Sequence, residues 1–84
     1  MNNTSITTLS SLECNKSAKI FDIQLEGLKR RRFMDLGIIK NAEIKAVRRA
    51  LGKEPTAFLV RGSLIALRKC DTDRILIYNG GDYE

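Results

Sequence analysis

Cys14 and Cys70 are the only soft metal ligands in the chain, and there is no histidine. The two thiols stand 56 positions apart, with no C-x-x-C or H-x-x-x-H spacing around them. A two-thiolate site would need the fold to bring them together, and the commoner outcome for two such cysteines is a pair of unliganded thiols. Cys14 and Cys70 are therefore weak metal candidates. Asp22, Asp35, Asp71 and Asp73 are the nearest hard ligands by type. Without histidine, the Ser-His, Cys-His and His-metal constellations cannot form within one chain, which argues against a hydrolase or a zinc enzyme. Gly27, Gly37, Gly52 and Gly62 are isolated and form no phosphate-cradling loop. The expected role is binding, not catalysis, with no resident cofactor.

The densest signal is Leu28-Lys29-Arg30-Arg31-Arg32-Phe33-Met34-Asp35-Leu36, bracketed by Gly27 and Gly37. It lacks proline and β-branched residues, and Gly37 is placed to end a helix in the left-handed conformation. Consecutive cations repel one another, so such a helix depends on tertiary packing or on a partner that neutralises it. At 100° per residue, Leu25, Leu28, Phe33 and Leu36 share an apolar arc, Arg32 falls inside it, and Arg30, Arg31 and Met34 lie opposite. The expectation is a core stripe of leucine and phenylalanine, with Arg30, Arg31 and Met34 as a protein-contact surface.

The elements around this helix are short. Eighty-four residues with 15 Lys+Arg against 10 Asp+Glu give a net charge of +5 and room for one domain. The longest apolar runs are four residues, far short of the ~20 that a membrane span needs. The polar start Met1-Asn2-Asn3-Thr4-Ser5 does not resemble a signal peptide, so a cytoplasmic protein is expected. Residues 1–8 read as a flexible tail and residues 79–84 as an acidic one, flanking a single domain over 9–78. Ser10 to Glu13 fits a capping box for one turn. Strands are expected over Ala18–Leu25, Glu43–Arg49, Ala57–Arg61, Leu64–Arg68 and Ile75–Tyr78, with a helical turn over Asp71–Arg74. Gly52 and Pro55 punctuate the loop before the third strand, and Gly62-Ser63 is a tight-turn candidate. The fold class is mainly β with one α-helix, a small, partly closed barrel of about five strands.

The order of these pieces resembles the ferrous iron transport protein A (FeoA) family. The resemblance rests on Leu9 to Leu12, Leu28, Arg31 to Gly37, Glu43 to Val47, Gly52 with Pro55, Val60-Arg61-Gly62, Leu64 to Lys69 and Asp71 to Ile77. It departs from the family at Lys40-Asn41, where a Pro-Gly turn is usual. It also departs at Thr72 in place of alanine and at Ser63 in place of an aromatic residue. The resemblance implies an SH3-like barrel with an added helix. It further implies a cytosolic accessory role beside a membrane ferrous iron transporter that carries its own GTP-binding domain. Fe²⁺ would then be the partner's cargo, and a general transition-metal association comes with the family.

The candidate partner surface is Arg30, Arg31 and Met34 on the helix, Gly52, Lys53, Glu54 and Pro55 in the loop, and Gly62 and Ser63 at the turn. The alternative is a basic nucleic-acid-binding barrel, since the isoelectric point is about 9.6. Residues 16–53 hold 11 Lys+Arg against 4 Asp+Glu, whereas residues 71–84 hold 1 against 4. Against it, Phe21, Phe33 and Phe58 fall on apolar faces, leaving no stacking platform beyond Tyr78 and Tyr83. An unpaired edge strand would also allow weak self-association.

Overall fold

The computed structural model describes residues 5–49 and 54–78. The chain runs β1 (Ile6–Thr8), a 3-10 turn (Leu9–Ser11), β2 (Ser17–Ile23), α1 (Gly27–Asp35), β3 (Glu43–Arg49), β4 (Thr56–Val60), β5 (Ser63–Leu67), α2 (Lys69–Thr72) and β6 (Ile75–Tyr78). The strands form one antiparallel sheet in the order β1-β6-β2-β3-β4-β5, which curls without closing. Two irregularities bend it. The first half of β2 pairs with β3 and the second half with β6, with a register shift between Ile20 and Asp22. A second shift falls between Ala46 and Arg48 of β3, at the Ala46-Val47 pair that breaks alternation in the sequence.

The bend wraps the sheet around Leu9, Ile20, Ile38, Ile44, Phe58, Val60, Ile75 and Ile77, all fully buried. Alternation inward and outward along β2, β4 and β6 supplies most of this set, as a half-covered sheet requires.

Two expectations near the N-terminus are corrected. Ile6–Thr8, read as part of a flexible tail, form β1 and pair with Tyr78, Ile77 and Leu76. Among the described residues the strand count is therefore six, not about five. The capping box at Ser10 does not form. The turn starts after Thr8 with no side-chain cap, and the Ser10 hydroxyl instead donates to Asp73 Oδ1 at 2.5 Å. That bond, followed by the contact from Lys69, holds the Asp73 carboxyl below the usual carboxylate range.

Gly37 ends α1 as the sequence suggests. Its φ is +102°, its N–H donates to the Met34 carbonyl, and the Ile38 N–H reaches back to the Phe33 carbonyl, both at 3.0 Å. This is a Schellman motif with its apolar pair, Phe33 and Ile38, in the core. A Cβ on Gly37 would lie 2.5 Å from Arg61 Cδ and 3.3 Å from Val60 Cγ1. Gly37→Ala is therefore expected to cost about 1–3 kcal/mol, mostly through backbone strain, since the Arg61 stem can shift. Thermal unfolding should show the midpoint falling by about 4–8 °C for each kcal/mol lost. At the Lys40-Asn41 turn, Asn41 takes φ 71° and donates to the Ile20 carbonyl at 2.7 Å, so the turn keeps its shape without a Pro-Gly pair.

Candidate functional site

α1 lies on the outside of the sheet, with Phe33 its only buried residue over nine positions. The sequence places Leu28 and Leu36 on the buried arc with Phe33. The structure corrects this: Leu28 is 76% exposed and Leu36 43% exposed. The physical reason lies upstream. Gly27 takes φ +68°, so the chain turns sharply between Leu25 and the helix, and Leu25 enters the core from outside it. Phe33 is then the helix's only anchor in the core, and the leucines face outward. Arg32, expected to pack along the apolar arc, is exposed as well.

The four cations of α1 divide into two pairs. Lys29 Nζ meets Asp71 Oδ1 of α2 at 3.0 Å. Arg30 reaches back from the helix, its guanidinium donating to the Ile23 carbonyl at 2.6 Å and the Leu25 carbonyl at 3.4 Å. Arg30 was expected on the contact surface, but it is half-buried and committed to the loop that leads into its own helix. It positions α1. A charged donor to a carbonyl contributes about 1.5–3 kcal/mol, so Arg30→Ala is expected to destabilise the chain by about 2 kcal/mol. Chemical denaturation should show this, with Arg30→Lys restoring only part of it, because an ammonium lacks the guanidinium fork.

The Arg31 and Arg32 side chains make no hydrogen bond or ion pair with the described residues. Arg31 lies beside Leu28 and Met34 at the three-residue spacing that makes helix neighbours. Together with Gly27, Arg30 and Asp35 they line a shallow open concavity. Met34 is 42% exposed. The result is a compact patch of flexible apolar side chains around the uncommitted Arg31 guanidinium, the composition that protein contacts favour.

The other sequence candidates do not join this patch into one surface. Glu54 is exposed, and its Oε1 accepts the Lys69 N–H at 3.1 Å, while Pro55 is half-buried. Gly52 and Lys53 lie outside the described residues. Gly62 and Ser63 are exposed at the far end of β4 from Pro55. The tight turn sits one residue earlier than expected: Arg61 (φ 53°) and Gly62 (φ 84°) are its central pair, and Ser63 opens β5. Arg61, not Ser63, is the residue of this turn that meets the end of α1, through Gly37. Phe21, expected on an apolar face, stands out at the β2 bulge and packs edge-on against Tyr78 at 5.3 Å.

Cys14 is half-buried and Cys70 exposed on α2, both as free thiols. Among the described residues, no three or more Cys, Asp and Glu side chains gather as a metal cluster. No described helix is long and apolar enough to cross a membrane.

No curated protein matches the chain in sequence. Solved structures do. The FeoA protein of Chlorobium tepidum is 29% identical with a TM-score of 0.82, covering 92% of this chain and 74% of its own. A FeoA-like protein of Clostridium acetobutylicum is 32% identical with a TM-score of 0.78, covering 88% and 86%. Stenotrophomonas maltophilia FeoA, solved with zinc, is 29% identical with a TM-score of 0.74, covering 84% and 88%. That protein is described as a prokaryotic SH3-domain protein and a candidate ferrous iron transport activating factor. The FeoA domain model matches residues 7–79, from β1 to just past β6, so this chain, with its open SH3-like sheet and single main helix, belongs to the FeoA family.

Proposed function

We propose that this protein is a cytoplasmic accessory factor of ferrous iron uptake. It binds the cytosolic part of a membrane iron transporter that carries a GTP-binding domain, and modulates it through α1. The observation that carries this reading is the outward patch of Leu28, Arg31, Met34 and Leu36 on a helix held by one buried side chain. A small domain without histidine acts through its surface. The Ser-His and Cys-His devices of nucleophilic catalysis are closed to it, and the ferrous ion is the transporter's cargo. Membership of the FeoA family, together with the activating-factor role suggested for the Stenotrophomonas maltophilia protein, supports a partner in ferrous iron transport.

The patch combines apolar contact with positive charge, so it suits an acidic, partly apolar face on the transporter. The guanidinium groups steer the encounter, and Leu28 and Met34 supply the contact that lasts. Titration of the purified chain against the transporter's cytosolic GTP-binding domain tests this. Association at micromolar or better affinity is expected, with an on-rate falling at least about tenfold between low and near-molar salt while the off-rate changes little. No association at low salt would refute the reading.

A further inference from the structure

The face formed by β4 and β5 carries a second set of unused groups. β5 ends the sheet, so one of its edges has no neighbour among the described strands. The two-residue turn at Arg61-Gly62 makes Val60 and Ser63 a hydrogen-bonded pair, and alternation makes Phe58–Ile65 and Thr56–Leu67 the next such pairs. The N–H and C=O groups of Leu64 and Ala66 therefore point away from β4, and none of them bonds to a described residue.

The side chains beside this edge are unusual for an exposed strand. Leu64 is 57% exposed and lies directly across from Leu59, itself partly exposed. Edge strands are ordinarily blunted by charge, proline or a bulge along their length. Here the charge sits at the two ends. Arg61 precedes β5, and Arg68, which shares the face of Leu64 and Ala66, follows it. Lys45 and Arg48, on β3, are the cross-strand partners of Leu59 and Ala57 and extend the positive rim inward. None of these four cations is in an ion pair with a described residue; the nearby carboxylates are Glu43, which lines a concavity with Lys45 and Arg61, and Glu54, which accepts the Lys69 N–H beside Arg68.

Charge decides the occupant. A second copy pairing antiparallel on this edge would bring Arg61 of one chain against the unpaired Arg68 of the other, cation on cation. A nucleic acid offers phosphates but no strand to satisfy the Leu64 and Ala66 backbone, and this face has no aromatic side chain on which a base could stack. An extended peptide answers both features. We propose that β5 is a strand-addition site for an acidic extended segment of a partner protein. The segment's backbone pairs with Leu64 and Ala66, its apolar residues continue the Leu59–Leu64 patch, and its carboxylates meet Arg61 and Arg68. The α1 patch shares none of these residues, so the two surfaces stand or fail separately.

The test uses the full chain, isotope-labelled for amide NMR. The probe is a synthetic extended peptide of valine alternating with threonine, capped by a pair of glutamates at each end. The expected result is saturable shifts centred on Leu64 and Ala66, with binding about tenfold weaker for the same peptide capped by lysines. Ala66→Pro removes an outward N–H without touching the β4 ladder, so the chain should stay folded and bind about tenfold more weakly. Arg68→Glu should weaken glutamate-capped binding and improve lysine-capped binding. Shifts elsewhere on the surface, equal binding of both peptides, or unchanged affinity in Ala66→Pro would each overturn the proposal. So would displacement of the peptide from β5 by an oligonucleotide, or concentration-dependent dimerisation through β5.

Discussion

Truncating Phe33 to alanine is expected to cost about 3–5 kcal/mol, and the loss should fall first on α1. Phe33 is 7% exposed and is the only side chain of the helix inside the core. The transfer and cavity terms for a buried phenylalanine give that magnitude. A chain of this size has a total stability of only about 4–13 kcal/mol, so the fraction lost is large. The helix has little to fall back on. It is nine residues long and carries four consecutive cations, and isolated helices of that length are marginal even with favourable sequences. Its remaining ties are the Arg30 bonds to the Ile23 and Leu25 carbonyls, the Lys29–Asp71 pair and the Schellman closure at Gly37. An exposed ion pair such as Lys29–Asp71 contributes at most about 1 kcal/mol. Native-state hydrogen exchange is the measurement. In Phe33→Ala the amides of α1 should exchange through local opening while those of β2, β3 and β4 stay protected. If α1 remained as protected as the sheet, its attachment would have another source.

Replacing Leu28, Arg31 and Met34 together by glutamate is expected to weaken binding to the transporter's cytosolic domain at least about 100-fold. Contact residues at the centre of an interface cost ~2 kcal/mol or more each when lost, and the reversed charge adds repulsion against an acidic face. The fold should barely notice. All three side chains are exposed, and surface substitutions away from caps and cores usually stay within ~0.5 kcal/mol. Breaking the run of like charges on α1 works in the same direction. The control is Lys16→Glu combined with Arg74→Glu, two exposed charge reversals outside both the α1 patch and the β5 edge. Calorimetric titration should find that control within about threefold of the parent. Equal losses in the two variants would mean that net charge alone, and not the α1 patch, governs binding.

Much of the fold was legible because it depends on short-range chemistry. Glu43–Arg49 and Ile75–Tyr78 are strands over the expected residues, and Gly37 stops the helix where its lack of a Cβ allows it to. Asn41 takes the left-handed turn for the same kind of local reason. What escaped depends on long-range partners. Ile6–Thr8 show no periodicity and become a strand only because β6 offers an edge. Ser10 abandons its local cap for an aspartate 63 residues away. The helical wheel correctly separated Phe33 from Met34, but it could not show which way a helix anchored at one point would tilt. The wheel therefore points Leu28 and Leu36 into the core, whereas both lie on the surface. Arg30 looked the same as Arg31 in sequence. Only the Ile23 and Leu25 carbonyls distinguish Arg30, which ties the helix to the turn before it, from Arg31, whose side chain makes no such bond. An exposed leucine, which the composition of α1 had hidden, is the signal that sharpened the candidate surface.

The most direct test of α1 as the docking face is a residue-resolved titration. The transporter's cytosolic GTP-binding domain, unlabelled, is added to the isotope-labelled chain, and amide shifts are followed to saturation. If α1 docks, one saturable site is expected, with the largest changes at Leu28, Arg31, Met34 and Leu36. Binding whose shifts leave α1 untouched and fall on the opposite edge of the sheet, or no binding at all, would contradict it.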